Sequence, residues 1–344
     1  MVKRSKWRGV LTVVTFVALI VLIYGVRRDI GGVIENLKKV NAIALIFIIP
    51  LEALNYHVYA RLYMGLFKIL GKKVNYWDMY RQNLELNFVN HILPSGGVSG
   101  ISYFTVRMRA FGVSGPKATL SQLMKLLLLY ISYQPILILG VIFLAARGHV
   151  NNLVIAVASS IVTLLVVGSF AFIYMIESRS RINTFLTFIT KFLNKLIHLV
   201  RPRYPETIDV EGAQLAFGEL HDNYQLFKEN WRELKMPFIY MTIANATEVA
   251  AVYVVYIAFG ELVNVGAVIL AYAVANFAGL ISVLPAGIGI YEGLMTAVLA
   301  ATGISAGVSI PVTIMYRVVN MVIQLTPGYY FYQRALKAGL THRD

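Results

Sequence analysis

The segments Leu93-Pro94-Ser95-Gly96-Gly97 and Leu284-Pro285-Ala286-Gly287 interrupt two apolar stretches, and each leucine is followed nineteen residues later by a Gly-x-Ser step, Gly112-Val113-Ser114 or Gly303-Ile304-Ser305. In a bilayer an interrupted helix exposes backbone groups at several kcal/mol apiece, so such breaks persist only where they line a cavity or are packed in protein. Matched breaks in the two halves of a chain predict a duplicated membrane transporter with its substrate site at the breaks.

Composition agrees. With 58% hydrophobic and 14% charged residues over 344, the apolar surface exceeds what a soluble globule of this size can hide, and it must face lipid. The chain has no cysteine, which excludes disulfides, thiolate metal sites and cysteine nucleophiles, and its six His show no ligand-like spacing. No metal or cofactor is expected. The net charge of +14 would point to nucleic acid in a soluble protein, but here Lys and Arg cluster in the loops flanking apolar spans, which reads as membrane orientation rather than a nucleic-acid partner.

The basic start Lys3, Arg4, Lys6, Arg8 precedes an apolar run from Gly9 to Val26 with no small-residue cleavage site after it, which reads as an uncleaved first span. Further spans are expected at Ala42 to Leu66, Lys117 to Ala146, Asn152 to Ile176, Pro237 to Phe259 and Ala306 to Leu336. Each is long enough to cross roughly 30 Å at about 1.5 Å per residue. A polar stretch, 177–235, separates the halves and contains an amphipathic piece, Ile182 to Val200, expected on the membrane surface. Trp7, Trp77 and Trp231 sit near the proposed interfaces, as anchors do.

The broken segments, 74–110 and 263–301, read as helical hairpins that enter and leave by one side. A fully spanning version of the second stays open, because Val263 to Val283 is long enough to cross. With the amino terminus cytoplasmic, the basic residues Arg61, Lys68, Arg81, Arg107, Arg109, Lys117, Arg179, Arg201 and Arg334 fall inside, and the flanks of the second hairpin carry Glu261 and no Lys or Arg, whereas Arg27, Arg28, Lys38 and Lys39 dissent, partly offset by Asp29 and Glu35. Each half then crosses three times, so the second half is inverted relative to the first. The expected fold is an all-α polytopic membrane protein in which residues 1–150 form one repeat and 151–344 the other. An offset of 191 residues lays Pro94 on Pro285, Gly96 on Gly287, Gly112 on Gly303 and Ser114 on Ser305.

The stretch Leu284-Pro285-Ala286-Gly287-Ile288-Gly289-Ile290-Tyr291-Glu292, followed by Gly303-Ile304-Ser305 and Tyr316-Arg317, resembles the pattern L-P-G-G-x-G-x-x-E, a short apolar helix, G-[VI]-[SP] and an apolar helix containing R. That pattern belongs to the lysylphosphatidylglycerol synthase transmembrane-region family, or flippase-like integral membrane proteins. Asn90-His91-Ile92-Leu93-Pro94-Ser95-Gly96-Gly97 is similar to the family's amino-terminal N-x-x-x-P-S-G-G element. Two departures stand out: Ala286 replaces the usual first Gly after Pro, and Gly-Gly-Val-Ser-Gly (96–100) stands where many relatives have Gly-Gly-Asp with a nearby Arg. The second leaves the substrate class open. The resemblance implies movement of a lipid or lipid-linked head group: in the best-known relatives this module moves lysylphosphatidylglycerol while a separate soluble domain attaches the lysine, and relatives without that domain are linked to isoprenoid-lipid or hopanoid pathways. The longest polar stretch here, 177–235, is too short for such a domain, so the chain is not expected to be an enzyme.

Glu292 lies about one turn after the second break, and Arg317 lies eleven residues into the last span, roughly 16 Å deep. A lone charge at that depth costs at least ~2.5–3.5 kcal/mol, so each is expected to face a partner or a wet cavity. A structural salt bridge between them and a substrate role are compatible: the pair could open so that Arg317 grips a lipid phosphate while Glu292 is released or takes a proton. The candidate substrate site comprises Glu292, Arg317, Asn90, His91, Pro94, Ser95, Gly96, Gly97, Pro285, Gly287 and Gly289. Helix starts after Gly97 and Gly289 would aim N–H groups at an anionic phosphate, or the glycines would serve only tight turns and close packing. The expected partners are an anionic or phosphate-bearing lipid substrate and the surrounding membrane lipids. A lipid-biosynthesis enzyme and a second copy of the chain are further candidate partners; the alternative functions are an ion-coupled small-solute transporter and a scaffold partner of a lipid or glycan synthase, with a membrane enzyme acting on a lipid phosphate disfavoured because no phosphatase-like constellation of acids with His or Arg occurs.

Overall fold

The computed structural model of the protein describes residues 40–92, 98–146, 151–185, 187–188, 210–281, 287 and 289–340. Every regular element it assigns among them is helical. The expected first span at 9–26, most of 182–200, and the break residues Pro94, Ser95, Gly96, Gly97 and Pro285 lie outside the described residues.

In chain order the helices are α1 (Ala42–Leu45), α2 (Ile48–Ile69), α3 (Tyr76–Ile92), α4 (Val98–Met108), α5 (Gly115–Ala146), α6 (Asn152–Ile176), α7 (Val210–Glu229), α8 (Lys235–Ala258), α9 (Val265–Ile281), α10 (Ile290–Ala301) and α11 (Ala306–Ala338). Five segments among the described residues are long and apolar enough to cross a membrane: Ala42–Ile69, Gly115–Ala146, Asn152–Ile176, Trp231–Ala258 and Ala306–Ala338. They coincide with the five expected spans after the first, with ends shifted by a few residues. The exposed faces of α5 and α6 are apolar, as Ile138, Leu139, Ile142 and Phe143, and Leu164, Val167 and Phe170 show. Water would penalise such a surface and lipid does not.

The broken segments behave differently. The arms α4 and α10 have 11 and 12 residues, about 17 and 18 Å of helix, and neither reaches across roughly 30 Å of hydrocarbon. Each second arm ends at a glycine with positive φ, Gly112 at 72° and Gly303 at 92°. That conformation strains any residue carrying a Cβ, so these two glycines set the turns into α5 and α11. The starts of α5 and α11, Gly115 and Ala306, are also 191 residues apart.

Packing between the halves is reciprocal. The first arm α3 packs on α11 of the other half, and the first arm α9 packs on α5 of the other half. Both contacts close on a glycine. A Cβ on Gly266 would lie 2.1 Å from the Gly140 carbonyl oxygen, and one on Gly328 would lie 2.7 Å from the Leu84 carbonyl oxygen. Backbone approaches this tight increase van der Waals contact where lipid offers no hydrophobic drive between helices. At the centre α2 and α8 run antiparallel: Asn41 N–H, before α2, donates to Ala258 O at 2.8 Å, while Gly65 meets Pro237 at the opposite end. Phe104 of α4 wedges against Tyr63 and Phe67 of α2, with ring centroids 4.9 and 6.2 Å away.

One expectation about charge is corrected. Arg107 reads from the sequence as a cytoplasmic flanking residue, but its side chain is 3% exposed and pairs with Glu85, 1% exposed, across α3 and α4 at 3.1 Å. The Tyr103 hydroxyl donates to the same carboxylate oxygen at 2.6 Å. The charge serves the first helix pair, since two opposite charges held together in hydrocarbon cost less than either alone. On the polar side, Lys228 of α7 donates to Glu177, just past α6, at 2.6 Å. That hydrogen bond and the charge behind it hold the Glu177 carboxyl below its ordinary range.

Two stability outcomes follow. Gly266→Ala should lower thermal stability in detergent by about 1–3 kcal/mol, the usual range for overpacking, while Gly293→Ala, whose Cβ meets nothing within 4 Å, should be neutral or slightly stabilising. Arg107→Met should destabilise by about 3–5 kcal/mol because it strands buried Glu85, and the double change with Glu85→Met should recover much of that loss. Melting curves of the four proteins decide both points.

Candidate functional site

Arg317 occupies the middle of α11 on a buried polar seam. Thr313, Tyr316, Arg317, Asn320 and Gln324 recur at three- and four-residue intervals and are all buried. That spacing places them on one helix face, turned inward. In a span otherwise open to lipid, a polar stripe of this kind needs partners from neighbouring helices.

The Arg317 guanidinium pairs with the Glu292 carboxylate from α10. Its Cζ also lies 4.9 Å from the centre of the Tyr291 ring, a distance at which a cation and an aromatic face attract. The other Glu292 oxygen accepts the Gly289 N–H at 2.7 Å. Gly289 is the residue before α10, and its φ of 85° suits only glycine there. Glu292 is the third residue of the helix and returns to its start, which satisfies one of the donors that every helix amino terminus leaves unpaired. A single carboxylate thus answers both a guanidinium and a helix start.

The surroundings of this pair are asymmetric. Arg317 is 9% exposed and Glu292 21%. On the same face of α10 as Glu292's turn, a Cβ built on Gly289 or Gly293 meets nothing within 4 Å. The pair is therefore buried on the α11 side and open on the α10 side.

The remaining candidate residues divide. His91, at the end of α3, bonds through Nδ1 to the Asn87 carbonyl at 2.9 Å, and it stands near enough to Arg317 for the two to interact electrostatically. Asn90 is exposed and lies against Gly100 at the start of α4, where a Cβ would meet its side-chain oxygen at 1.9 Å. Asn90 and Gly100 therefore fit together as a lock within the first helix pair. Gly287 has a φ of 64° and is buried. Pro94, Ser95, Gly96, Gly97 and Pro285 lie outside the described residues.

A second polar group was not singled out from the sequence as a unit. Asn87 donates to the Tyr56 hydroxyl at 2.6 Å and to Gln324 Oε1 at 2.7 Å. Gln324 Nε2 in turn donates to Glu52 at 2.9 Å. Asn55 donates to Thr247 at 2.8 Å and to Glu248 at 3.3 Å, and the Tyr316 hydroxyl donates to Glu248 at 3.0 Å. This network joins α2, α3, α8 and α11, and its Tyr316 is the immediate neighbour of Arg317. The signal that marks it in the sequence is the polar seam of α11, read with the lone acids of α2 and α8.

Among the described residues no group of three His, Asp or Glu is disposed to hold a metal. The arrangement offers instead a buried cation and a helix amino terminus, both matched to an anion, at the open flank of a helix pair inside the membrane. A search of the curated proteins gives no match. The family model for the lysylphosphatidylglycerol synthase TM region matches residues 9–328, and the chain, a multi-pass membrane protein, belongs to that family.

Proposed function

We propose that the protein translocates a phosphate-bearing or aminoacylated lipid across the cytoplasmic membrane, carrying the head group through a midplane polar cavity between two broken-helix hairpins. The observation that carries this reading is the double use of Glu292. Its carboxylate is bound by Arg317 and by the Gly289 N–H, the two kinds of donor that recognise a phosphate. Glu292 thereby stands in for the head group when no lipid is bound. An entering phosphate that displaces it leaves both donors satisfied, so neither the guanidinium nor the helix start is stranded in hydrocarbon at any stage.

Access from the bilayer is supported by the open flank of α10 beside Glu292. In this reading the protein is a transporter, not an enzyme, and works without a metal or cofactor. Its two halves form an inverted repeat with re-entrant hairpins and both termini cytoplasmic. Three features support the inversion: the shared offset of 191 residues, the reciprocal packing of each first arm on the opposite half, and the antiparallel run of α2 and α8. Equivalent helices that run antiparallel let one fixed site open in turn to either face.

Reconstitution into liposomes containing head-group-labelled lipids tests the activity, with an aminoacylated phospholipid, a plain anionic phospholipid and a polyprenyl phosphate as separate cargoes. Arg317→Gln should reduce inner-to-outer exchange at least tenfold, equivalent to about 1.4 kcal/mol in a barrier, with expression and folding retained. Glu292→Gln should slow exchange as well, since the guanidinium then has no anion to return to. Full activity of Arg317→Gln would remove this residue from the lipid path. The topology is tested separately in the naturally cysteine-free chain. Single replacements Arg109→Cys and Glu261→Cys should react with a membrane-impermeant maleimide from opposite sides, and labelling from one side would sink the inverted repeat.

A further inference from the structure

The Glu52 and Glu248 carboxyl groups lie in the centre of the helix bundle, one on each of the antiparallel helices α2 and α8. Glu52 is 3% exposed and Glu248 is half-buried. Asn55, one turn after Glu52, donates to Glu248 at 3.3 Å, which sets the two acids on facing turns of α2 and α8. Among the described residues neither acid takes part in an ion pair. Arg317 is committed to Glu292, and the Lys125 ammonium packs on the Tyr59 ring at 5.4 Å from its centre. The other titratable groups that face the pair are phenols: Tyr56 and Tyr59 of α2, Tyr80 of α3, Tyr133 of α5, Tyr272 of α9 and Tyr291 of α10. Tyr316 of α11 completes the ring of hydroxyls by its bond to Glu248.

Two neighbouring carboxylates without a cation would place two like charges in the membrane interior, and like charges at close range do not both ionise. The hydrogen-bond census of the network points the same way. An ionised carboxylate only accepts, whereas a protonated one gains a donor that needs an acceptor. Two buried acceptors in this region have no partner among the described residues. One is the Tyr291 hydroxyl, on a residue 8% exposed whose oxygen senses the Glu248 charge. The other is Asn320 Oδ1, whose amide nitrogen donates to the Tyr316 oxygen at 3.3 Å. A metal ion fits poorly, because the groups already aimed at the carboxylates are the N–H donors of Asn55 and Gln324 and the O–H groups of Tyr316 and Tyr272, whose hydrogens repel a cation. A proton fits the count.

We propose that Glu52 and Glu248 hold one proton between them at neutral pH and form an intramembrane proton-binding site, joined to the Glu292–Arg317 pair through Tyr291. Tyr291 is the connecting element because its ring lies under Arg317 and the residue is within electrostatic reach of Glu248. Loss of the proton leaves a second negative charge near Arg317, which weakens the hold of Glu292 on that guanidinium. The use of this site to drive lipid movement rests on the translocation reading above, but the presence of the proton does not.

Infrared spectroscopy of the full chain in lipid bilayers, titrated in water and in deuterium oxide, reads the proton whether or not any lipid moves. At neutral pH the spectrum should contain the carbonyl stretch of a protonated carboxylic acid that shifts down in deuterium oxide. Glu248→Gln and Glu52→Gln should each remove it, and Glu292→Gln should leave it in place. Tyr291→Phe, which keeps the ring and loses only the hydroxyl, should move its frequency and guards against a misfolded glutamine variant. Absence of the band at neutral pH, or its survival in both glutamine variants, overturns the site. In the reconstituted vesicles an imposed proton gradient should accelerate exchange of the labelled lipid. Exchange that ignores the gradient would overturn the coupling and leave translocation standing, whereas a lasting band with no exchange of any cargo would uphold the proton site and overturn translocation.

Discussion

A guanidinium inside a bilayer cannot be left without an anion, and the architecture around Arg317 is organised by that constraint. Its counter-charge comes from α10, a helix of 12 residues that is too short to span and whose first N–H donors need a partner. One carboxylate at the third position meets both demands. The break before α10, the positive φ of Gly289 and the placement of Glu292 are parts of a single solution. The first helix pair meets the same problem with Glu85, Arg107 and Tyr103, but seals it: both charges there are almost wholly buried. The two pairs differ in exposure: Glu292 is 21% exposed, whereas Glu85 is 1% exposed.

Much of this was legible in the sequence, and the residues show why. The spans announce themselves because length and apolarity are sufficient to define them, and Asn152–Ile176 was read to the residue. Glu292 and Arg317 could be paired because a lone acid after a break and a lone base in a span each demand a partner. Arg107 was misplaced because a basic residue near a helix end looks the same whether it faces the cytoplasm or a buried acid 22 positions earlier. The helix over Val210–Glu229 was missed inside a stretch that reads only as polar, since its apolar face is set by what it packs against. The network of Glu52, Asn87, Glu248 and Gln324 was scattered over four helices. No spacing in one dimension reveals which faces meet.

The glycines carry a different kind of information. Gly112 and Gly303 govern turns, and their pairing by a shared offset was visible from the start. Gly266 and Gly328 do something that composition does not disclose: they bring helices of opposite halves into backbone contact. Around these glycines large side chains interlock, Phe88 with Tyr329 and Tyr332 between α3 and α11, and Tyr133 with Tyr272 and Phe277 between α5 and α9.

That crossing has a consequence in time. The helix α3 leaves the ribosome well before the one it packs on, since Tyr76 precedes Ala306 by 230 residues. At roughly 5–20 residues per second the wait is on the order of ten to fifty seconds. During that interval a helix rich in buried polar groups lacks its later partner α11, and α2, made before it, and α4, made directly after it, are the neighbours at hand. The tie between Glu85 and Arg107 is local and forms as soon as α4 is made. A charge tie that closes locally needs nothing from the later part of the chain.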